Sequence, residues 1–212
     1  MMNWEAIARA AIKPSTQAEE VLFADGDTDD IVSAILHGDR LAAPFTADFA
    51  PYFRSGATIT TGQKVWDFVK SNIRYKKDKN GHERIKSPGK LWADKEGDCK
   101  SMSIFVASIL QNLGIPYKYR FAHYPNPSRP WDKDVNHVFV VAMDATGREI
   151  PIDPVADRYN YEEPYEFSYD HEAGKAAQAK VSGLFPEGGL KAWAPLIISF
   201  LIGYMTATIA SE

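Results

Sequence analysis

The sequence predicts an α+β fold in which the helix that carries the only cysteine packs on an antiparallel sheet, with a further hydrophobic helix at the C-terminus. Apolar residues recur three and four positions apart over residues 102–113, which is the pattern of an amphipathic helix. Aromatic and polar residues alternate over 117–121, as in a half-buried strand. The β-branched apolar run 138–142 and the stretch 149–154 predict two more strands, and a helix followed by such a sheet is typical of α+β proteins.

The pattern along the chain divides it into four predicted parts. Residues 1–56 are expected to form a helical lead-in and residues 57–160 the core. Residues 161–190, rich first in tyrosine and acid and then in glycine, are expected to wrap the core and link it to a hydrophobic helix at 191–212. Within the lead-in, a helix is predicted to end at Gly38, since glycine commonly terminates helices.

Composition excludes several classes of function. A net charge of −4 and the lack of any basic run argue against a nucleic-acid partner. A single cysteine excludes an intrachain disulfide and a zinc site of paired cysteines. The acidic stretch 25–30 lacks the glycine and glutamate that an EF-hand loop needs at its sixth and twelfth positions, so it predicts a helix start. No metal or cofactor is predicted.

Cys99 is predicted to lie where its thiol could form a nucleophilic thiolate. Asp98 is a predicted N-cap, which puts Cys99 in the first turn of the helix. There the unpaired backbone N–H groups and the helix dipole favour an anion, and thus a thiolate. A lone cysteine is more often a small buried hydrophobe. The polar neighbours Asp98 and Lys100 favour the reactive interpretation instead.

A thiolate nucleophile needs a base, and the base needs an orienting group. His137 stands at the mouth of the predicted strand 138–142, and Asp153 lies near the end of the next one, within reach across an antiparallel pair. Asp144 and Asp157 are rival orienters, but the first falls in a predicted turn and the second beyond the strand. The other histidines are predicted to lie at the surface or at a helix end: His37, His82, His123 and His171.

Four segments in this order resemble the transglutaminase-like superfamily of papain-like cysteine enzymes. They are Gly97-Asp98-Cys99, Leu113-Gly114-Ile115-Pro116, Asn136-His137-Val138 and Ile152-Asp153-Pro154. The resemblance covers about residues 60–157 and implies a papain-like core with Cys99 as nucleophile, His137 as base and later acid, and Asp153 as orienter. It also implies that the Cys99 N–H donates to the oxyanion. A second donor is expected from a side chain; Trp92 is a candidate, though core packing is its simpler role.

The resemblance implies a cysteine peptidase or amidase that acts on a protein or peptide through an acyl-enzyme, with water as the default acceptor. Two alternatives stay open. One is a crosslinker that transfers the acyl group to an amine. The other is an inactive or architectural domain in a membrane-associated assembly, such as a cell envelope or a virus particle. The presence of all three residue types favours an enzyme.

The run 192–211 carries no charge and has about the length that crosses a bilayer. Its small residues Ser199, Gly203 and Ala207 recur four apart, an arrangement that lets helices approach closely in a membrane. The sequence therefore predicts a membrane anchor or a helix partner, with a helix buried on its own domain as the alternative. Lys191 would place the core on the cytoplasmic side of the membrane.

Overall fold

The computed structural model describes residues 3–15, 20–22, 28–78, 83–132 and 134–173. The helices are α1 (Trp4–Ala11), α2 (Thr28–Thr46), α3 (Thr58–Asn72), α4 (Pro88–Asp94) and α5 (Cys99–Leu113), and a 3₁₀ turn covers Ala50–Phe53. The strands are β1 (Glu20–Leu22), β2 (Arg74–Tyr75), β3 (Glu83–Ile85), β4 (Glu96–Gly97), β5 (Tyr117–His123), β6 (His137–Met143), β7 (Glu149–Ile152) and β8 (Phe167–Glu172).

The main sheet is antiparallel and has the strand order β7-β6-β5-β8, which confirms the predicted α+β class. Two small pairs lie apart from it, β1 with β3 antiparallel and β2 with β4 parallel. Pro151 lies in β7, at the edge of the sheet, where a residue without an N–H is tolerated. Strand β8 falls inside the stretch that the sequence assigned to a wrapping segment, and no pattern had marked it as a strand.

Helix α5 is the centre of the core, because 13 of its 15 residues are buried. It packs on β6 on one side and on α2, α3 and α4 on the other. The lead-in contributes to the same core through aromatic rings, with Trp4 stacked on Phe53 and Phe49 packed edge-on against Phe68 of α3. A helix surrounded in this way holds its N-terminal residues in fixed positions.

The predicted ends of α5 are confirmed, whereas the predicted end of α2 is wrong. The Asp98 side chain accepts a hydrogen bond from the Ser101 N–H, and Gly114 closes α5 with φ of 71°. Helix α2 continues through Gly38 to Thr46. A Cβ at Gly38 would lie 2.9 Å from Ile104 Cδ1 of α5, so this glycine permits close helix packing and does not mark a helix end.

Residues 174–212 lie outside the described residues, and they include the predicted C-terminal helix with Ser199, Gly203 and Ala207. The three predicted boundaries between the four parts stay predictions. None of the helices that the structure describes combines the length and the apolar composition needed to cross a bilayer.

Candidate active site

Cys99 is the first residue of α5, and the segment that leads into it is fixed by short backbone pairings. Gly97 of β4 lies opposite Tyr75 of β2, and a Cβ at Gly97 would lie 2.4 Å from Leu91 Cδ1, so any side chain there would displace the buried Leu91. Asp98 Oδ1 caps the helix 3.0 Å from the Ser101 nitrogen. Because Cys99 begins the helix, its own N–H has no acceptor within α5 and is available to an anion.

His137 begins β6, and two side chains fix that end of the strand. The hydroxyl of Ser103 in α5 donates to the Val138 carbonyl at 3.0 Å, which ties the cysteine helix directly to the histidine strand. The Asn136 amide donates to the Tyr124 carbonyl at 2.8 Å and accepts from the Tyr124 N–H at 3.0 Å. The backbone on both sides of His137 is therefore held by hydrogen bonds.

Asp153 follows β7 and is held at three points. Its Oδ2 lies 2.7 Å from His137 Nε2, and its Oδ1 accepts from the Val155 N–H at 2.9 Å. Its backbone carbonyl accepts from Trp66 Nε1 in α3 at 2.7 Å. The carboxylate is thus fixed against one nitrogen of the imidazole, as an orienting group requires.

Cys99 lines the same cavity as His137, and it acts on the pKa of the imidazole through its charge and through a hydrogen bond. Burial lowers the pKa of His137, but the hydrogen bonds to Asp153 and Cys99 outweigh burial and raise that pKa to about 10. The imidazole is therefore protonated at neutral pH. An imidazolium beside a sulfur atom at a helix N-terminus favours a thiolate–imidazolium pair.

Two cavities flank His137. One, of about 190 Å³, opens on Cys99 between apolar side chains, such as Val32 of α2, and the charged groups beside the helix start. The other, of about 340 Å³, is lined by Asp153 and by Tyr124 and Glu163. Asn136 and His137 line both cavities.

Residues 52–154 match the family model of the transglutaminase-like superfamily. These residues form a transglutaminase-like core. The matched segment contains Cys99, His137 and Asp153, so the resemblance stated from the sequence is confirmed. A search of curated protein sequences gave no significant match.

Solved structures similar to the chain include three bacterial proteins. The "putative protease" from Parabacteroides distasonis ATCC 8503 has 12% identity and a TM-score of 0.48, over 64% of this chain and 27% of that one. The "putative cysteine protease" from Cytophaga hutchinsonii has 17% identity and a TM-score of 0.40, over 69% of this chain and 46% of that one. Calcium-bound LapG from Legionella pneumophila has 16% identity and a TM-score of 0.44, over 82% of this chain and 99% of that one. The chain thus spans less than half the length of the first two.

The transglutaminase-like core also holds a cluster of charged groups beside Cys99. Oxygen atoms of Asp78, Glu83 and Asp98 lie within 4.8 Å of one another, which among the described residues makes them the one set placed to hold a metal ion. The ammonium of Lys100 lies among the same three carboxylates.

The rival orienters lie elsewhere. Asp144 accepts hydrogen bonds within the β6–β7 turn, from Thr146 and Arg148, and Asp157 pairs with Lys70 while its side chain is 98% exposed. Trp92 is buried and stacks on Phe68, which is the packing role proposed as its simpler one. Asp153 is therefore the aspartate of the three that reaches His137.

The prediction that His123 lies at the surface is wrong. Its side chain is 2% exposed, with Nδ1 2.6 Å from the Asp134 carbonyl and the ring stacked on Phe167 of β8. The sequence could not show this, because the strand that covers His123 carried no recognisable pattern. His37 lies inside α2 and not at a helix end, His171 lies in β8, and His82 lies outside the described residues.

Two residues that support the site were missed, although each carried a signal. Ser103 lies four positions after Cys99, between the apolar residues Met102 and Ile104, and a buried hydroxyl requires a partner. Trp66 was assigned to the apolar side of its helix. Its indole N–H also needs an acceptor, and it finds one in the Asp153 carbonyl.

Proposed function

We propose that the protein is a cysteine-dependent hydrolase of peptide or amide bonds that works through an acyl-enzyme. The observation that carries the proposal is the position of His137, whose Nε2 lies 2.7 Å from Asp153 Oδ2 and which lines the same cavity as Cys99 at the start of a helix. The match to the transglutaminase-like superfamily supports it.

In the proposed first step, the Cys99 thiolate attacks the substrate carbonyl carbon, and the oxygen that becomes negative accepts a hydrogen bond from the Cys99 N–H. The His137 imidazolium then gives its proton to the leaving amine as the C–N bond breaks, which leaves a thioester on Cys99. Neutral His137 next takes a proton from water, whose hydroxide attacks the thioester. The carboxylic acid leaves, and the thiolate–imidazolium pair is restored.

The substrate of this proposal is a protein or peptide. An amine could attack the thioester in place of water, and that step would convert the same chemistry into acyl transfer. Hydrolysis is preferred because water is always present, whereas none of the described residues marks a site for an acceptor amine.

The full chain should be incubated with unfolded casein, with and without methylamine, and the products analysed by mass spectrometry. Hydrolysis predicts new peptide termini or deamidated side chains without amine adducts. Cys99→Ser should lower the rate by at least about 10³-fold while leaving the circular dichroism spectrum unchanged. Products formed by Cys99→Ser at the parental rate would show that Cys99 is not the nucleophile, and methylamine adducts as the main product would favour acyl transfer.

The orienting role of Asp153 makes a second prediction. Asp153→Asn should cost less activity than His137→Ala, because the aspartate holds the imidazole and does not itself transfer the proton. Asp157→Asn is the matched control, since this exposed carboxylate follows the same strand and pairs only with Lys70 among the partners described. Equal activity of Asp153→Asn and the parent chain would remove Asp153 from the site.

A further inference from the structure

Lys100 is a buried cation at the second position of α5, directly after Cys99. Its side chain is 9% exposed, although lysine is rarely buried to that degree. Its ammonium contacts the Asp98 carboxylate, lies 2.6 Å from Glu83 Oε2 and lies 3.4 Å from Asp78 Oδ2. Three carboxylates from three different parts of the chain therefore surround one ammonium.

Without the ammonium, these carboxylates would repel one another and any negative charge on Cys99. Their oxygens lie within 4.8 Å of one another and are of the kind that binds divalent cations such as Ca²⁺. The cluster also contains the helix cap, since one oxygen of Asp98 accepts from the Ser101 N–H while the other meets Lys100. A positive charge at this point therefore holds the cap that directly precedes Cys99.

We propose that Lys100 is the resident cation of this carboxylate cluster: its ammonium occupies the position that a divalent metal ion would take and acts as a positioning residue for Cys99. The part that concerns Cys99 rests on the proposed function. The charge of Lys100 holds Asp98 at the cap and offsets the negative charge of Asp78 and Glu83. Cys99 is then held at the start of the helix without a bound metal ion.

The charge state of the cluster agrees with this geometry. Burial lowers the pKa of Lys100, but the neighbouring charge of Asp98 and the hydrogen bonds to Asp98 and Glu83 outweigh it, so the pKa of Lys100 is raised. The ammonium is therefore charged throughout the neutral range and stays a fixed cation. A negative charge on the neighbouring Cys99 acts in the same direction and raises the pKa of Lys100.

The test uses the full chain and the variant Lys100→Met, which keeps the length of the side chain and removes its charge. The rate at which iodoacetamide labels Cys99 at pH 7 should fall on the order of tenfold, the effect of losing one nearby unit charge. Calcium chloride should bind Lys100→Met in calorimetry and restore most of the labelling rate. The parent chain should bind no calcium at this cluster, and its labelling rate should be the same in calcium and in EDTA.

Two variants separate charge from packing. Lys100→Arg keeps the charge and should label at a rate close to that of the parent chain. Lys118→Met removes a lysine of β5 that pairs with Glu149 and Asp170, and it should leave the labelling unchanged. If Lys100→Met folds only in the presence of calcium, that result also supports the proposal, because the metal ion then replaces the missing charge.

Three results would overturn the inference. They are parental labelling by Lys100→Met, loss of labelling by Lys100→Arg in a folded protein, and calcium-dependent labelling of the parent chain. None of these readouts requires turnover of a substrate. If the parent chain hydrolyses nothing, the proposed function fails while labelling and calcium binding still decide the role of Lys100. If Cys99→Ser abolishes hydrolysis but Lys100→Met labels normally, only the inference about Lys100 fails.

Discussion

Two clusters of opposite charges in this protein contain similar groups in different surroundings. In the Lys100 cluster at the start of α5, the Asp98 side chain is 3% exposed. In the sheet network, formed by Lys118, Arg120, Glu149, Glu162 and Asp170, the carboxylates of Glu149 and Asp170 are 42% and 30% exposed. The comparison separates the effect of solvent from the effect of pairing, because both clusters pair a lysine with more than one carboxylate.

The pKa of the aspartate shifts in opposite directions in the two clusters, because one aspartate is buried and the other is partly exposed to solvent. Burial raises the pKa of Asp98, and the attraction of Lys100 only opposes that rise. The pKa of Asp170 is lowered, mainly by hydrogen bonds from Arg120, which outweigh its smaller degree of burial. Arg120 binds Asp170 through two nitrogens at 2.8 and 2.9 Å, and water reaches the carboxylate, which is 30% exposed. The buried cluster is therefore costly to disturb, whereas the network can exchange partners with water.

The largest expected difference is in stability. Asp98→Asn keeps an oxygen for the helix cap but removes a charge from the buried Lys100, which retains Glu83 at 2.6 Å. We expect the free energy of unfolding to fall by about 3 kcal/mol, at the low end for a broken buried pair. Asp170→Asn on the sheet should cost less than about 1 kcal/mol. Urea denaturation followed by circular dichroism measures both, and equal costs would show that burial does not separate the two clusters.

Local patterns were enough to predict most of the core from the sequence. The steps of three and four in α5, the alternation in β5 and the turn between β6 and β7 each depend on neighbouring residues, and each is confirmed. The order of cysteine, histidine and aspartate predicted a site, and the structure brings Cys99, His137 and Asp153 together.

Features that depend on distant parts of the chain could not be predicted. The Lys100 cluster forms because β2, β3 and the start of α5 meet, and β2 and β4 are two-residue strands with no periodicity to detect. The length of α2 was missed because Gly38 contacts α5, which a local pattern cannot show. Strand β8 is polar and exposed at many positions, and its pairing with β5 defines it better than its own residues do.

A second, smaller expected difference is between Asp153→Asn and Asp170→Asn in the pH at which His137 titrates. The pKa of His137 is raised to about 10 by hydrogen bonds that outweigh burial, and the bond to Asp153 is the largest of these raising causes. Removing a raising cause lowers the pKa, so in Asp153→Asn the imidazole should lose its proton at a pH at least about one unit lower. NMR titration of the His137 ring measures this directly. Any activity that needs the imidazolium should fall at the same lower pH.

Asp170→Asn is the control for this titration, because the sheet network lies apart from the imidazole. Its His137 ring should titrate as it does in the parent chain, at about pH 10. If both variants move the midpoint equally, the shift comes from the overall charge of the protein and not from the bond to Asp153.

The smallest expected difference is in the response to salt. Exposed pairs are screened over about 3 Å at 1 M salt, while water and ions do not reach a buried pair. The coupling free energy between Arg120 and Asp170, from a double-mutant cycle with Arg120→Met and Asp170→Asn, should therefore fall by a few tenths of a kcal/mol between 0.05 and 1 M NaCl. The coupling between Lys100 and Asp98, from Lys100→Met and Asp98→Asn, should stay constant within error. Equal losses in the two cycles would mean that ions reach the Lys100 cluster, and a cluster open to ions could not hold the charge beside Cys99 in the way its geometry indicates.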